Sequence, residues 1–322
     1  MDGAAAKVCR CRHMPESEES ESMYCFPRYA LCALVVPTLS LVSPAAIIGQ
    51  ERDAPPPSVT EVNWLTDYAT AYQDARRQGK MLLLRFCDPE NNPLCARLDR
   101  ETMSDPTVRR KLQNFVCVRV PVDATITVEG KQTRLLDHSG FAEMLGQPGV
   151  AIIDLAHRDT KHYGRVVSAF PLTSRLWYTP AQMAVILDLP PGSITQRTLI
   201  YAVRTHPERP ASTDGEIDTN LEEEAESHSQ YQARIRLQGH HRWESRFHRI
   251  RALLPGGLTA IEVCAESWPG ERLVEAAIDC VRSWRQSSGH WSAVRSRHPY
   301  YGYDMKRGPN GVWYATGIFG RR

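Results

Sequence analysis

Residues 81–103 read "MLLLRFCDPENNPLCARLDRETM". The short apolar run at 81–86 stops at Asp88-Pro89, and helical sequence resumes at Pro93. An apolar run of this length closed by turn residues reads as a buried strand, and the segment after it as a helix. The same alternation continues on both sides. Before it, Trp64, Tyr68, Ala71, Tyr72 and Ala75 recur at helical spacing and stop near Gly79. After it come a helix at 106–115, a strand at 116–123, a helix over "LLDHSGFAEML" (135–145) and a third buried strand, "GVAIIDLA" (149–156). "HRDTKHYGRVVSAF" (157–170) reads as a turn and an edge strand. Strands alternating with helices predict an α/β fold, an open sheet with both faces covered.

Residues 171–192 are transitional and close on Pro190-Pro191-Gly192. A second, helical region follows. "SITQRTLIYAVRTHPE" (193–208) and the strongly polar "LEEEAESHSQYQARIRLQ" (221–238) are two of its helices. Trp243, Phe247, Ile250 and Leu254 form one further helical stripe, and Val274, Ala277, Ile278, Val281 and Trp284 another. The chain ends on a hairpin, "YYGYDMKR" and "VWYATGIF" around a "GPNG" turn.

The 322 residues have room for about two domains, and 42% apolar against 24% charged residues is enough to bury a core. A formal charge of +2 with interspersed signs gives no case for nucleic acid as a partner. The arginines between Arg234 and Arg251 therefore read as a solvated helix face.

The first fifty residues look like an address. Arg28, an apolar stretch over residues 30–42 and Ser43-Pro44-Ala45 form a signal-peptide pattern, followed by a Pro-rich linker at 51–60. The acidic, Ser-rich start leaves Met23 as an alternative first residue. An uncleaved N-terminal membrane anchor is the alternative to a secreted or periplasmic protein. Of nine cysteines, Cys9, Cys11, Cys25 and Cys32 fall in this leader. Cys87, Cys95, Cys117, Cys264 and Cys280 remain, an odd set in an exported chain.

The order of elements over 61–170, with Gln147-Pro148 ahead of "GVAIID", resembles the thioredoxin-like fold. The resemblance implies a cis proline at Pro148. It also implies a Cys-x-x-Cys pair where this chain has Asn92-Pro93-Leu94-Cys95. Cys95 takes the second position, and Asn92 stands where the attacking cysteine belongs. Dithiol exchange starts from a thiolate at that point, which asparagine cannot supply. Cys87 and Cys95 remain either a non-standard redox pair or two small apolar core residues.

Residues 193–322 resemble the CAP superfamily of cysteine-rich secretory proteins, antigen 5 and pathogenesis-related (SCP-like) proteins. The motifs are "LIYAVRTHPE", "AESHSQYQARIRLQGHHRWESR", "VCAESW", "AAIDCVRSWRQSSGHWSAV" and the closing hairpin. The expected architecture is thus a thioredoxin-like sheet domain at 61–170, a connector at 171–192 and a CAP-type α-β-α sandwich at 193–322.

The CAP resemblance implies a polar cavity that holds a divalent metal in several members. It maps the cavity's histidines onto His290 and onto His241 or its neighbour His240, and one glutamate onto Glu266. The family's second glutamate has no counterpart after Trp284. Glu262, four residues before Glu266, shares a face with it whether the segment is helical or extended. Two imidazoles and a carboxylate (His241, Glu266 and His290) make an open zinc ligand set. The bland alternative is a packed histidine that binds nothing. Cys264 and Cys280 read either as a disulfide or as two buried thiols, and His298 as a loop residue before a strand.

The expected function is an exported, non-enzymatic binding protein. Its ligand would be an extracytoplasmic small molecule, lipid or cell-surface component. A zinc-dependent hydrolase and a Cys87/Cys95 redox protein are the alternatives.

Overall fold

The computed structural model describes residues 61–321 apart from 89, 91 and 129. The leader, the linker and the four cysteines at Cys9, Cys11, Cys25 and Cys32 lie outside the described residues. Among the described residues no helix is long and apolar enough to cross a membrane.

The N-terminal part opens with a short strand β1 (Trp64–Leu65) and helix α1 (Tyr68–Gln78). Asp67 caps α1 by accepting the Thr70 amide at 2.7 Å, and Gly79 ends it in the left-handed region at φ 61°. Then come β2 (Met81–Cys87), α2 (Pro93–Leu98), a π-turn at Asp99–Met103, α3 (Pro106–Leu112) and β3 (Phe115–Pro121). A small hairpin, β4 (Thr125–Val128) with β5 (Lys131–Arg134), leads through two 3-10 turns to β6 (Gly149–Ile153) and β7 (Val166–Pro171). The sheet order is β1-β3-β2-β6-β7, with β1, β3 and β2 parallel and β6 and β7 antiparallel.

Strand β2 is buried on both faces, as its apolar run, interrupted only by Arg85, predicts. Leu82, Leu84 and Phe86 pack with Ala71 and Ala75 of α1 and with Phe141. Leu83 points the other way, into a core shared with Leu98 and Val108. Arg85 also faces that way and is fully buried. Its Nε reaches Asp99 at 3.2 Å and its Nη2 donates to the Cys95 carbonyl at 3.0 Å.

Three local expectations fail. Trp64 belongs to an edge strand paired with Cys117, not to the helix. The stretch 135–145 forms 3-10 turns at Leu135–Asp137 and Ser139–Met144, because His138 turns its ring onto the Gly140 amide and Leu145 is left-handed at φ 58°. The Gln147–Pro148 peptide is trans, so the cis proline expected at Pro148 is corrected. The left-handed Leu145-Gly146 pair already makes the turn into β6, and the trans form is favoured by about 0.5–1 kcal/mol.

Helix α4 (Pro180–Leu187), inside the transitional stretch, and α5 (Ile194–Arg204) each open with a capping box, Thr179/Gln182 and Ser193/Gln196. They lead to β8 (Glu216–Ile217), α6 (Thr219–Ile235), α7 (Trp243–Leu253), β9 (Thr259–Glu266), α8 (Leu273–Gln286), α9 (Ser288–Arg295), β10 (Tyr300–Arg307) and β11 (Trp313–Arg321). The second sheet runs β8-β10-β11-β9, with β11 antiparallel to both β10 and β9, and β8 parallel to β10. The terminal hairpin pairs Tyr300 with Gly320 through Arg307 with Trp313, as its "GPNG" turn demands.

Strand alternation divides this sheet's faces. Ala260 and Ile318 pack with Leu221 of α6 and Ile250 of α7. Val263, Ala265, Met305 and Phe319 face α5, α8 and α9 through Leu199, Trp284 and Val294. Helices therefore cover both faces, in three layers. The same alternation keeps Cys264 and Cys280 apart. Cys264 is on the α6 side, near His240, whereas Cys280 lies in the opposite core, and both are free thiols. The core on the α8 side is continuous with the one under Leu83 of the first sheet.

Candidate functional site

The cluster of interest lies where β9, the α6–α7 loop and α9 meet. On β9, Glu262 points to the α6 side of the sheet, and only 1% of its side chain is exposed. Its Oε1 accepts from His240 Nδ1 at 3.0 Å. Its Oε2 makes a 2.6 Å ion pair with Arg246 of α7, close but off the hydrogen-bond axis. His240 Nε2 meets His290 Nε2 at 3.1 Å. Behind these, His228 of α6 donates from Nε2 to the Gly239 carbonyl at 2.9 Å and lies 3.7 Å from Glu262. Cys264 Sγ is 3.8 Å from His240 Nδ1.

Local sequence explains each placement. Arg236 and Arg242 adopt the left-handed region at φ 57° and 54°, bending residues 236–242 so that His240 turns inward. Gly239 keeps its amide on Gln232 Oε1 at 3.0 Å. Ser287 ends α8 and caps α9, so "SGHWSAVR" is a separate short helix with His290 in its first turn.

Charge assigns the protons. Burial raises the Glu262 pKa, but the His240 bond and the Arg246 charge outweigh it and hold the carboxyl below its ordinary range. An ionised Glu262 accepts a hydrogen bond from the His240 Nδ1–H, which in the singly protonated ring leaves the lone pair on Nε2. His290 Nε2 then donates to it. Burial, reinforced by His240 and opposed by Glu262, lowers the His290 pKa, which favours its neutral ring. His228 is likewise pushed down by burial, against the pull of Glu262.

Two donor sets here resemble metal ligands. His228, Glu262 and Cys264 offer atoms within 4.8 Å of one another. That set is already spent. His228 Nε2 is on Gly239, both Glu262 oxygens are engaged, and full burial pushes the Cys264 thiol up, so it stays protonated. The His240/His290 pair fits better. Two imidazole nitrogens on a tetrahedral zinc stand about 3.3 Å apart, close to the 3.1 Å observed. The Nδ1–H of His240 on a buried carboxylate is the outer-shell partner such a ligand requires. The His240 side chain is 42% exposed, which leaves the solvent side open.

Two expected members are corrected. Glu266 is exposed at the end of β9, paired with Tyr314 across the sheet. In an extended strand its four-residue offset from Glu262 is about 13 Å, which carries it beyond the cluster. His241 turns away, its Nε2 on the Leu237 carbonyl at 3.1 Å and its ring against Tyr231. The carboxylate and first imidazole are thus Glu262 and His240. Arg246 and His228 were missed, although both interrupt apolar stripes. Arg246 sits three residues after Trp243 and four before Ile250, and His228 three after Ala225. A polar residue inside a buried stripe marks a buried pair. His298, read as a loop residue, does lie between α9 and β10, but it is buried and stacked on Phe319.

In the first sheet, Asn92 caps α2 by accepting the Leu94 amide at 3.0 Å, with Cys95 following one turn in. Cys87 Sγ is directed at the Val120 carbonyl, and Cys95 Sγ accepts the Asp88 amide. Both are free, and burial raises the Cys87 pKa. A family model described as "Thioredoxin-like" matches residues 63–154. Those residues are thioredoxin-like.

The thioredoxin-like segment thus keeps the fold while an asparagine holds the helix cap at the attacking position. Among solved structures, the chain is similar to an outer surface protein from Borrelia burgdorferi. The identity is 19% over 34% of this chain and 77% of that one, with a TM-score of 0.28. No curated protein matches the chain.

Proposed function

We propose that this chain is an exported, non-enzymatic binding protein. Residues 193–322 form a CAP-type module whose His240 and His290 hold a divalent cation, zinc in the first instance, and the thioredoxin-like segment serves as a redox-inactive partner module. The observation that carries this reading is the chain Arg246, Glu262, His240, His290. A buried ion pair fixes the tautomer of one imidazole, so that two Nε2 atoms face each other at 3.1 Å beside solvent.

A four-coordinate cation held by the two imidazoles would keep two positions for water or a ligand oxygen. The protein's own residues do the rest. Arg246 keeps Glu262 ionised, Glu262 keeps the His240 proton on Nδ1, and the short helix α9 presents His290. The hydrolase reading loses ground for the same reason. Hydrolysis needs a free general base, and the carboxylate in contact with the pair is tied to Arg246. A redox role has weaker support still, because Asn92 caps the helix where a thiolate would attack.

Calorimetric titration of the full chain with zinc tests the proposal. One equivalent should bind, His240→Ala and His290→Ala should each abolish it, and Cys264→Ala should leave it unchanged. No binding, or binding indifferent to both histidines, overturns it.

A further inference from the structure

A second concavity lies far from the histidine pair by topology, on the α1 side of the first sheet. It has a volume of about 680 Å³, within the range of small-molecule sites. Its walls are apolar and aromatic, comprising Tyr68 and Tyr72 of α1, Ile126 of β4, Phe141, Ile153 of β6 and Val166 of β7. The two tyrosine rings are 6.1 Å apart and tilted by 51°.

The polar groups at its rim are donors. His138 Nδ1 accepts the Gly140 amide at 3.2 Å, so the ring proton sits on Nε2, which is left to donate. Arg165 follows Gly164, close to which the Tyr72 hydroxyl reaches. The Arg165 backbone is pinned on both sides, by the Asp154 amide on its carbonyl and by its own amide on the His162 carbonyl, each at 3.0 Å. Its side chain is exposed, and among the described residues no carboxylate pairs with it. His138 and Arg165 both line this concavity. The acid in the lining, Glu143, is half-buried, and burial raises its carboxyl pKa against the pull of Arg307 and Arg272.

An apolar hollow whose rim offers N–H and O–H donors and an unpaired guanidinium selects a ligand with an apolar body and one anionic head. We propose that this pocket binds an apolar monocarboxylate, with its head on Arg165 and His138 and its body against Tyr68, Tyr72, Phe141 and Ile153. This assigns the thioredoxin-like segment a ligand of its own, independent of the cation site.

Titration of the full chain with hexanoate, decanoate and tetradecanoate, followed by calorimetry and by tyrosine ring resonances, tests it. At least one acid should saturate one site and shift the Tyr68 and Tyr72 signals. Decanol should bind about tenfold or more weakly than decanoate, because it lacks the charge-assisted contact. Arg165→Ala should cost decanoate a similar factor and leave zinc binding unchanged, with Arg165→Lys recovering part of it. If none of the acids binds, if decanol binds as well as decanoate, or if Arg165→Ala is silent toward decanoate, the proposal is overturned. The comparison of acid with alcohol decides the matter even where the variant fails to fold.

Discussion

Glu262 shows what a single buried charge costs and secures. With Arg246 replaced by leucine, the carboxylate stays buried beside two imidazoles without its cation. Breaking a buried pair on one side costs about 3–5 kcal/mol, so Arg246→Leu should lower the unfolding free energy in urea by about that much. Glu262→Gln keeps the volume but loses the charge on the His240 proton, and should weaken zinc binding about 10–100-fold. A second carboxyl gives a pH test. Burial, aided by Asp304, raises Glu222 from 4.5 to about 7, and its Oε1 has no partner. The folded state therefore holds a proton that the unfolded chain releases at lower pH. Stability is fully present below the unfolded pKa and is lost as pH rises through about 7. Glu222→Gln should add about 1–3 kcal/mol at pH 8 and close to nothing at about pH 3.5, below the unfolded pKa, read by urea unfolding at both. At this scale the sequence offered His290, and Glu262 beside Glu266, but it could not choose between the two acids. The choice depends on how far along β9 the loop bearing His240 descends, and that is set by the left-handed turns at Arg236 and Arg242. Nothing in residue type announces a left-handed arginine.

Elements were legible where period and caps agreed. α1, α5 and the terminal hairpin follow from apolar spacing, the Ser193/Gln196 capping box and the Gly-Pro-Asn-Gly turn. Those that were misread have weak local signals. β1 is two residues long and exists only because β3 offers it an edge, and the 135–145 stretch has helical composition but is diverted by His138 and Leu145. The close approach of β10 to α6 was also invisible. A Cβ at Gly302 would lie 2.3 Å from the Leu221 carbonyl carbon and 2.4 Å from the Glu222 amide, both backbone atoms that cannot rotate aside. Gly302→Ala should therefore lift α6 from the sheet, lowering stability by about 3 kcal/mol or more in chemical denaturation. Because α6 carries His228 and leads into the His240 loop, zinc affinity should fall with it.

Across the whole molecule, the two sheets share one hydrophobic core. Leu83, Leu98 and Phe170 from the first part and Leu199, Trp284 and Phe319 from the second belong to the same cluster. Two independent cores would unfold separately, whereas a shared one couples the parts. Urea unfolding followed by tryptophan fluorescence and by far-ultraviolet circular dichroism should give coincident single transitions, and two separated midpoints would contradict the shared core. Coupling also means that the histidine pair proposed to hold the cation rests on a scaffold reaching back to β2, and is positioned by more than its own loop. X-ray absorption at the zinc edge, on the full chain loaded with one equivalent, bears most directly on the histidine pair. Two imidazole nitrogens are expected at about 2.0–2.1 Å with oxygen neighbours and no sulfur, a signal that disappears with His290→Ala. A sulfur neighbour at about 2.3 Å would place the metal on Cys264 instead and contradict that expectation.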